Sequence, residues 1–227
     1  RFMSTQEQNG RIVVINPNSS EAVTASIDDA LNPLRSADGP DIDCLTLAEG
    51  PPGIETQCHV DGVVGPMCEM IRRENARTDA FVVACFSDPG LHSAREVASC
   101  PVFGIAESAY STALNFGEAF GVIAILPGSV VRQQRYVRQL GLSGRYAASL
   151  PLGTGVAGLE GDETGDRLVE VGRALISEHG ADVLILGCAG MARFRSQAAR
   201  ALGVPVIDPS QAAVVQAVAA VRLAAAA

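Results

Sequence analysis

Two segments of this chain are near-copies of each other, and each ends on a cysteine. The first reads Asp79-Ala-Phe-Val-Val-Ala-Cys85 and the second Asp182-Val-Leu-Ile-Leu-Gly-Cys188, an acid and a thiol bracketing an apolar run. A second echo lies upstream of each, where Ile12-Val-Val-Ile-Asn16-Pro17-Asn18-Ser19 matches Val122-Ile-Ala-Ile-Leu126-Pro127-Gly128-Ser129. A third lies downstream, Pro101-Val-Phe-Gly104 against Pro205-Val-Ile207. The order of the copies reads as a fused duplication. Halves of one ancestral unit pack about a pseudo-twofold axis, so the expected architecture brings equivalent strand ends, and both thiols, to one cleft.

The 227 residues suffice for two lobes of roughly 100 residues each. Apolar runs bounded by turn residues predict strands at 11–16, 42–47, 80–85, 102–106, 120–126, 146–150, 182–188 and 204–207, four per half. Helical spacing fills the gaps: Val23, Ile27, Leu31 and Leu34 follow a Ser20 cap, and Leu168, Val171 and Leu175 mark a helix over 163–178. Alternating strands and helices imply an α/β fold of two similar lobes, each a four-stranded parallel sheet flanked by helices. The first lobe is expected to span 1–107 with a returning C-terminal helix in 209–227, and the second 108–208. In such sheets ligands sit beyond the carboxyl ends of strands, which is where Asn16, Cys85, Leu126 and Cys188 fall.

Composition narrows the function classes. A net charge of −8 disfavours nucleic acid and anionic membrane surfaces, both of which need clustered cations. A small-molecule partner fits better. No apolar run approaches the roughly 18–20 residues of a membrane span and the start lacks a secretory layout, so the expected location is the cytoplasm. Arg1 and Phe2, before Met3, read as a cloning remnant, and Ala224–Ala227 as a frayed end. In a reducing compartment the six cysteines are expected as thiols, and none forms a Cys-x-x-Cys pair. No metal site is expected.

A thiol at the end of a buried strand, followed by a turn into a helix, is expected to see free N–H groups and a helix dipole that lower its pKa. Two such thiols facing one carbon acid can remove a proton from one face and return one to the other, with no cofactor. Backbone N–H groups after the cysteines, with Asn16, Ser19, Ser20 and Ser87, are candidates to hold the oxygen of the resulting enolate.

These residues carry a resemblance. Ile15-Asn16-Pro17-Asn18-Ser19-Ser20, Ala84-Cys85-Phe86-Ser87-Asp88-Pro89-Gly90-Leu91, Gly104-Ile105-Ala106-Glu107 and Leu186-Gly187-Cys188-Ala189-Gly190-Met191 together resemble the hydantoin and allantoin racemases of the aspartate/glutamate racemase superfamily. The resemblance implies an active site between two lobes, Cys85 and Cys188 as acid and base, no cofactor, and a homo-oligomer. Phe86-Ser87 and Ala189-Gly190 stand where aspartate and glutamate racemases of that superfamily carry Asn-Thr and Thr-Glu, which points to a ring amide rather than a free α-carboxylate. Leu126-Pro127-Gly128-Ser129 departs from the Thr-Thr pair that hydantoin racemases carry there.

Alternatives stay open beside this reading. Asn16, Ser19 and Ser20 equally suit an Asx turn and helix cap, and Phe86 equally suits lobe packing. Asp79 and Asp182 read as turn residues far from the cleft, Asp88 as the cap of the helix that follows it, and Glu107 as a helix-start carboxylate. Gly153-Thr-Gly155-Val-Ala-Gly158 has the spacing of a dinucleotide fingerprint without its strand-and-helix setting, and reads as a loop. His92 and His179 read as helix-surface residues. At the level of function, a maleate isomerase-like enzyme would use the same cysteine pair, and a non-catalytic two-lobed binding protein would merely pack it.

Overall fold

The structure, a computed structural model, describes residues 10–161 and 163–225. Arg1, Phe2 and the last two alanines of the expected frayed end lie outside the described residues. The first half runs β1 (Arg11–Asn16), α1 (Glu21–Leu31), β2 (Asp41–Thr46), α2 (Gln57–Gly62), α3 (Val64–Glu74), β3 (Ala80–Val83), α4 (Leu91–Val97), β4 (Val102–Gly104) and α5 (Ile105–Ala113). The second runs β5 (Phe120–Ala124), α6 (Pro127–Gln139), β6 (Tyr146–Pro151), α7 (Thr164–Ser177), β7 (Val183–Leu186), α8 (Arg195–Leu202), β8 (Val206–Ile207) and α9 (Pro209–Ala225).

The sheets are copies in topology. All pairings are parallel, in the order β2-β1-β3-β4 and β6-β5-β7-β8. The central strands β3 (AFVV) and β7 (VLIL) are buried along their whole length. That is why they read as unbroken apolar runs: helices cover both faces. The Asp before each tidies the far end of its sheet. Asp79 Oδ2 accepts from Arg11 N at 2.8 Å, and the Asp182 carboxylate accepts from Glu118 N at 2.8 Å and Ala119 N at 2.9 Å.

Three apolar clusters hold the molecule. One packs the outer face of the first sheet around Met67, Ile71 and Phe81, and one that of the second around Leu168, Leu175 and Leu186. The third joins the lobes, with Phe86, Tyr110, Phe120 and Ala213 among its members. Tyr110 is its centre, touching Phe86 edge-on at 5.5 Å and Phe120 at 5.3 Å between ring centroids. α9 lies against α5, β3, β4 and α1.

Candidate active site

Both sheets point their carboxyl ends at the space between them, and the two cysteines arrive there by the same local route. β3 stops at Val83 and β7 at Leu186, so each cysteine lies two residues past its strand, not inside it as the apolar run predicts. One further ladder bond carries each strand onward, Ala84 N to Ile15 O at 2.8 Å and Gly187 N to Ile123 O at 2.8 Å. Each cysteine carbonyl then closes a turn, accepting from Asp88 N at 2.9 Å or Met191 N at 3.2 Å. The turn aims a backbone N–H at each sulfur, that of Ser87 at Cys85 and that of Gly190 at Cys188. Gly187 allows the close approach: a Cβ there would lie 2.6 Å from Ile123 O.

Cys85, Phe86 and Ser87 from one lobe and Cys188 and Ala189 from the other line a single cavity of about 40 Å³. Ties across the lobes hold it narrow. Glu55 Oε1 accepts from Val156 N at 2.9 Å, Arg135 Nη2 donates to Gln57 Oε1 at 2.5 Å, and Tyr136 O–H donates to Asp88 Oδ2 at 3.0 Å.

The thiols do not have the lowered pKa expected of them. Burial pushes Cys85 up to about 12 and Cys188 up to about 11, from an ordinary 9.0. The N–H groups of Ser87 and Gly190 oppose the rise without cancelling it. The expected helix dipole is missing behind Cys85, because α4 starts only at Leu91 and is capped by Gly90 in the left-handed region (φ 59°). Behind Cys188 stands a short 3-10 turn, Ala189–Phe194. Charge on Cys188 further raises Cys85, while the Arg132 guanidinium lowers it; Asp208 and Glu55 raise Cys188.

Asp88 caps a different helix from the expected one. It sits at φ 42°, a left-handed conformation that Asp tolerates better than most residues. Its carboxylate therefore turns from α4 to the start of α5, accepting from Ala106 N at 2.9 Å and Glu107 N at 2.8 Å as well as from Tyr136. A side chain at Gly104 would collide with that carboxylate. Burial raises the Asp88 carboxyl to about 7 against those three hydrogen bonds.

Other predicted site residues lie outside the cavity wall. The Asn16 side chain is spent on its own loop, donating from Nδ2 to Asn18 Oδ1, Ser20 O and Thr24 Oγ1 and accepting from Asn18 N. Ser20 caps α1 through Val23 N at 3.3 Å, and Ser19 N donates to Pro51 O at 3.0 Å. Gly190 contributes its N–H to Cys188 rather than a wall. Phe86 packs edge-on against Tyr110, as the packing reading expects, and also lines the cavity. Glu107 lies in the first turn of α5 and pairs with Arg95 at 2.6 Å; His92 and His179 are exposed.

The sequence reading missed Asn18, Ser129, Arg132 and Gln133, all of which line the cavity. Three of them sit on the early turns of α6. The sequence does hold a signal for two: Ser129, Gln133 and Val137 form an i, i+4, i+8 stripe that is the buried face of the helix. Among the described residues no group of three or more His, Cys, Asp or Glu is placed to hold a metal ion, and no helix is long and apolar enough to cross a membrane.

Comparison with known proteins places this geometry. A family model described as Asp/Glu/Hydantoin racemase matches residues 12–217. Hydantoin racemase of Paenarthrobacter aurescens is 37% identical over 207 residues, which is 89% of this chain and 87% of that protein. The structure of allantoin racemase from Klebsiella pneumoniae superposes with a TM-score of 0.90 at 34% identity, covering 95% of this chain and 89% of the other. That of allantoin racemase from Pseudomonas fluorescens does so with a TM-score of 0.90 at 30% identity, covering 94% and 92%.

Proposed function

Since this chain belongs to the Asp/Glu/Hydantoin racemase family, we propose that it is an isomerase that racemises 5-substituted hydantoins, allantoin among them, with Cys85 and Cys188 as its acid and base. The observation that carries the reading is the pair of sulfurs brought to one cavity by equivalent turns from opposite lobes. A ring carbon placed between them presents one face to each.

The reaction balances without an external reagent. One cysteine, as thiolate, takes the proton from the carbon between the ring nitrogen and the carbonyl, and the electron pair of the C–H bond moves onto the carbonyl oxygen. The opposing thiol then gives its proton to the other face, restoring the carbonyl with configuration inverted and the two sulfurs exchanged in charge. Burial makes a second thiolate costly once the first exists, because charge on Cys188 raises Cys85. One thiolate and one thiol is therefore the working state. The cavity opens beside a larger recess that shares Phe86, Ser87, Arg132 and Gln133 with it, which gives a substituted five-membered ring a route to the space between the thiols.

The test is circular dichroism on separated enantiomers of several 5-substituted hydantoins and of allantoin. The expected result is decay of the signal to zero from either hand with wild-type protein and persistence with Cys85→Ser or Cys188→Ser. Normal racemisation by both single variants would end the two-cysteine mechanism. A trapped covalent adduct with maleate would favour an isomerase of carbon–carbon double bonds on the same thiols.

A further inference from the structure

The cavity wall contains two buried polar atoms that the fold leaves unpaired, on adjacent residues of α6. Gln133 is 3% exposed and, among the described residues, its Oε1 has no hydrogen-bond partner. Arg132 Nε is buried and equally unpaired, while Nη2 of the same guanidinium donates to Ser129 Oγ at 3.1 Å. Both side chains line the space between the thiols and also an adjoining recess of about 690 Å³. A buried carbonyl oxygen left without a donor is a standing cost, and native proteins rarely carry one without a use. Here an acceptor and a donor stand side by side in the wall of the reaction cavity.

We propose that Gln133 and Arg132 read the amide edge of the substrate ring and thereby set specificity for a cyclic amide over a free amino acid. The proposal rests on the racemase reading above and names the recognition that reading lacks. An N–H next to a C=O is the complement of this wall: Gln133 Oε1 accepts from the ring nitrogen that lies between the two carbonyls, and Arg132 Nε donates to the carbonyl beside the reacting carbon. As the proton leaves, negative charge gathers on that same carbonyl oxygen, so the Arg132 contact strengthens towards the transition state. A free α-carboxylate offers two acceptors and no donor, and would set an oxygen against Gln133 Oε1. The arrangement thus rejects amino acids by leaving a polar atom unpaired, a stronger filter than shape alone.

The experiment pairs a change in the protein with a change in the substrate. Racemisation of a 5-substituted hydantoin is compared with that of its analogue methylated on the nitrogen between the carbonyls, and of the analogue methylated on the other ring nitrogen, using wild type, Gln133→Met and Gln133→Ala. Wild type is expected to favour the parent over the first analogue by roughly 10- to 100-fold, the effect of one buried hydrogen bond. Gln133→Met should lose about that factor on the parent and most of the discrimination, with the second analogue showing no such coupling. A merely structural Gln133 would lower all three substrates together. Equal losses, unchanged discrimination, or coupling confined to the second analogue would each overturn the proposal. If both variants fail to fold, the wild-type preference alone decides, and equal rates on parent and first analogue sink it. Wild-type protein inert on every hydantoin would instead remove the racemase reading itself.

Discussion

The two cysteines share a backbone and differ in their company. Each lies two residues past a central strand, receives the N–H of the second residue after it, and closes a turn with the third. Around Cys85 stand the Asp88 carboxylate, which raises the thiol, and the Arg132 guanidinium, which lowers it, whereas Cys188 has the carboxylates of Asp208 and Glu55, and both raise it. Arg132 belongs to the second lobe and acts on the thiol of the first; Glu55 belongs to the first and acts on the thiol of the second. Duplication therefore supplies two equivalent sulfurs; each has a carboxylate from its own lobe, Asp88 or Asp208, and what distinguishes them is the group from across the cleft, a cation for Cys85 and a second carboxylate for Cys188.

The severest attempt to break this comparison removes one sulfur at a time. Cys85→Ser and Cys188→Ser should each lower racemisation by roughly 10³-fold, within the range of a lost acid or base. Each should still wash deuterium from solvent into one enantiomer, and the two variants should choose opposite enantiomers, as mass spectrometry on separated isomers will record. If both label the same hand, the sulfurs do not serve opposite faces.

The next contrast is between two buried carboxylates that follow strands of the two lobes. Asp88 accepts three hydrogen bonds and joins α5 to α6, while Asp208 accepts from Gln211 N at 2.8 Å and leaves its buried Oδ2 unpaired. Asp88→Ala orphans two backbone N–H groups and a phenol, and should cost roughly 2–4 kcal/mol of stability in denaturant titration. Asp208→Asn should cost under about 1 kcal/mol. Its pH behaviour carries a sign as well. The Asp208 carboxyl is raised from 3.8 to about 6 by burial, so its contribution is complete below 3.8 and lost as pH rises through about 6. Stability of Asp208→Asn should therefore fall less than that of wild type across that interval.

Much of this was legible in the amino-acid order. The apolar runs of β3 and β7 and their cysteines mark both sheet centres, and Ser20 caps α1 as its type predicts. What failed depends on the other lobe or on backbone conformation that residue order does not display. Arg132 and Gln133 lie in Arg-Gln-Gln-Arg, a stretch that looks like a surface helix because its covering comes from residues far away in sequence. The thiol pKa values went the wrong way for the same reason: a strand-end turn can be read locally, and burial between lobes cannot. Asp88 was assigned to the nearer helix because chain proximity is visible and a left-handed backbone is not.

The rate should carry the thiol chemistry in its pH dependence. Because burial raises both thiols, the thiolate fraction that supplies the working state, and with it kcat/KM, should rise about tenfold per pH unit from pH 7 and still be rising at the ordinary thiol value of 9.0. Arg132→Met should push the rise to higher pH and lower the neutral rate by roughly tenfold beyond its loss of ring contact, because it removes the cation that favours the Cys85 thiolate. A profile flat from pH 7 to 9 in wild type would mean that the thiols are already ionised in the working enzyme.

The smallest effect belongs to Glu55, and it separates charge from tether. Its carboxylate holds Val156 N across the cleft mouth at 2.9 Å and also raises the Cys188 thiol. Glu55→Gln keeps an acceptor for Val156 and removes the charge, so the Cys188 pKa should fall slightly and kcat/KM at neutral pH should rise by about twofold. Glu55→Ala removes both, and the loosened mouth should raise KM by a few-fold, offsetting that gain. Steady-state kinetics of the two variants across pH will tell them apart: a gain in Gln and a loss in Ala assigns the residue to both jobs. Identical losses in the two would leave the tie to Val156 as a contact that needs the full carboxylate, and Cys188 indifferent to the charge facing it from the other lobe.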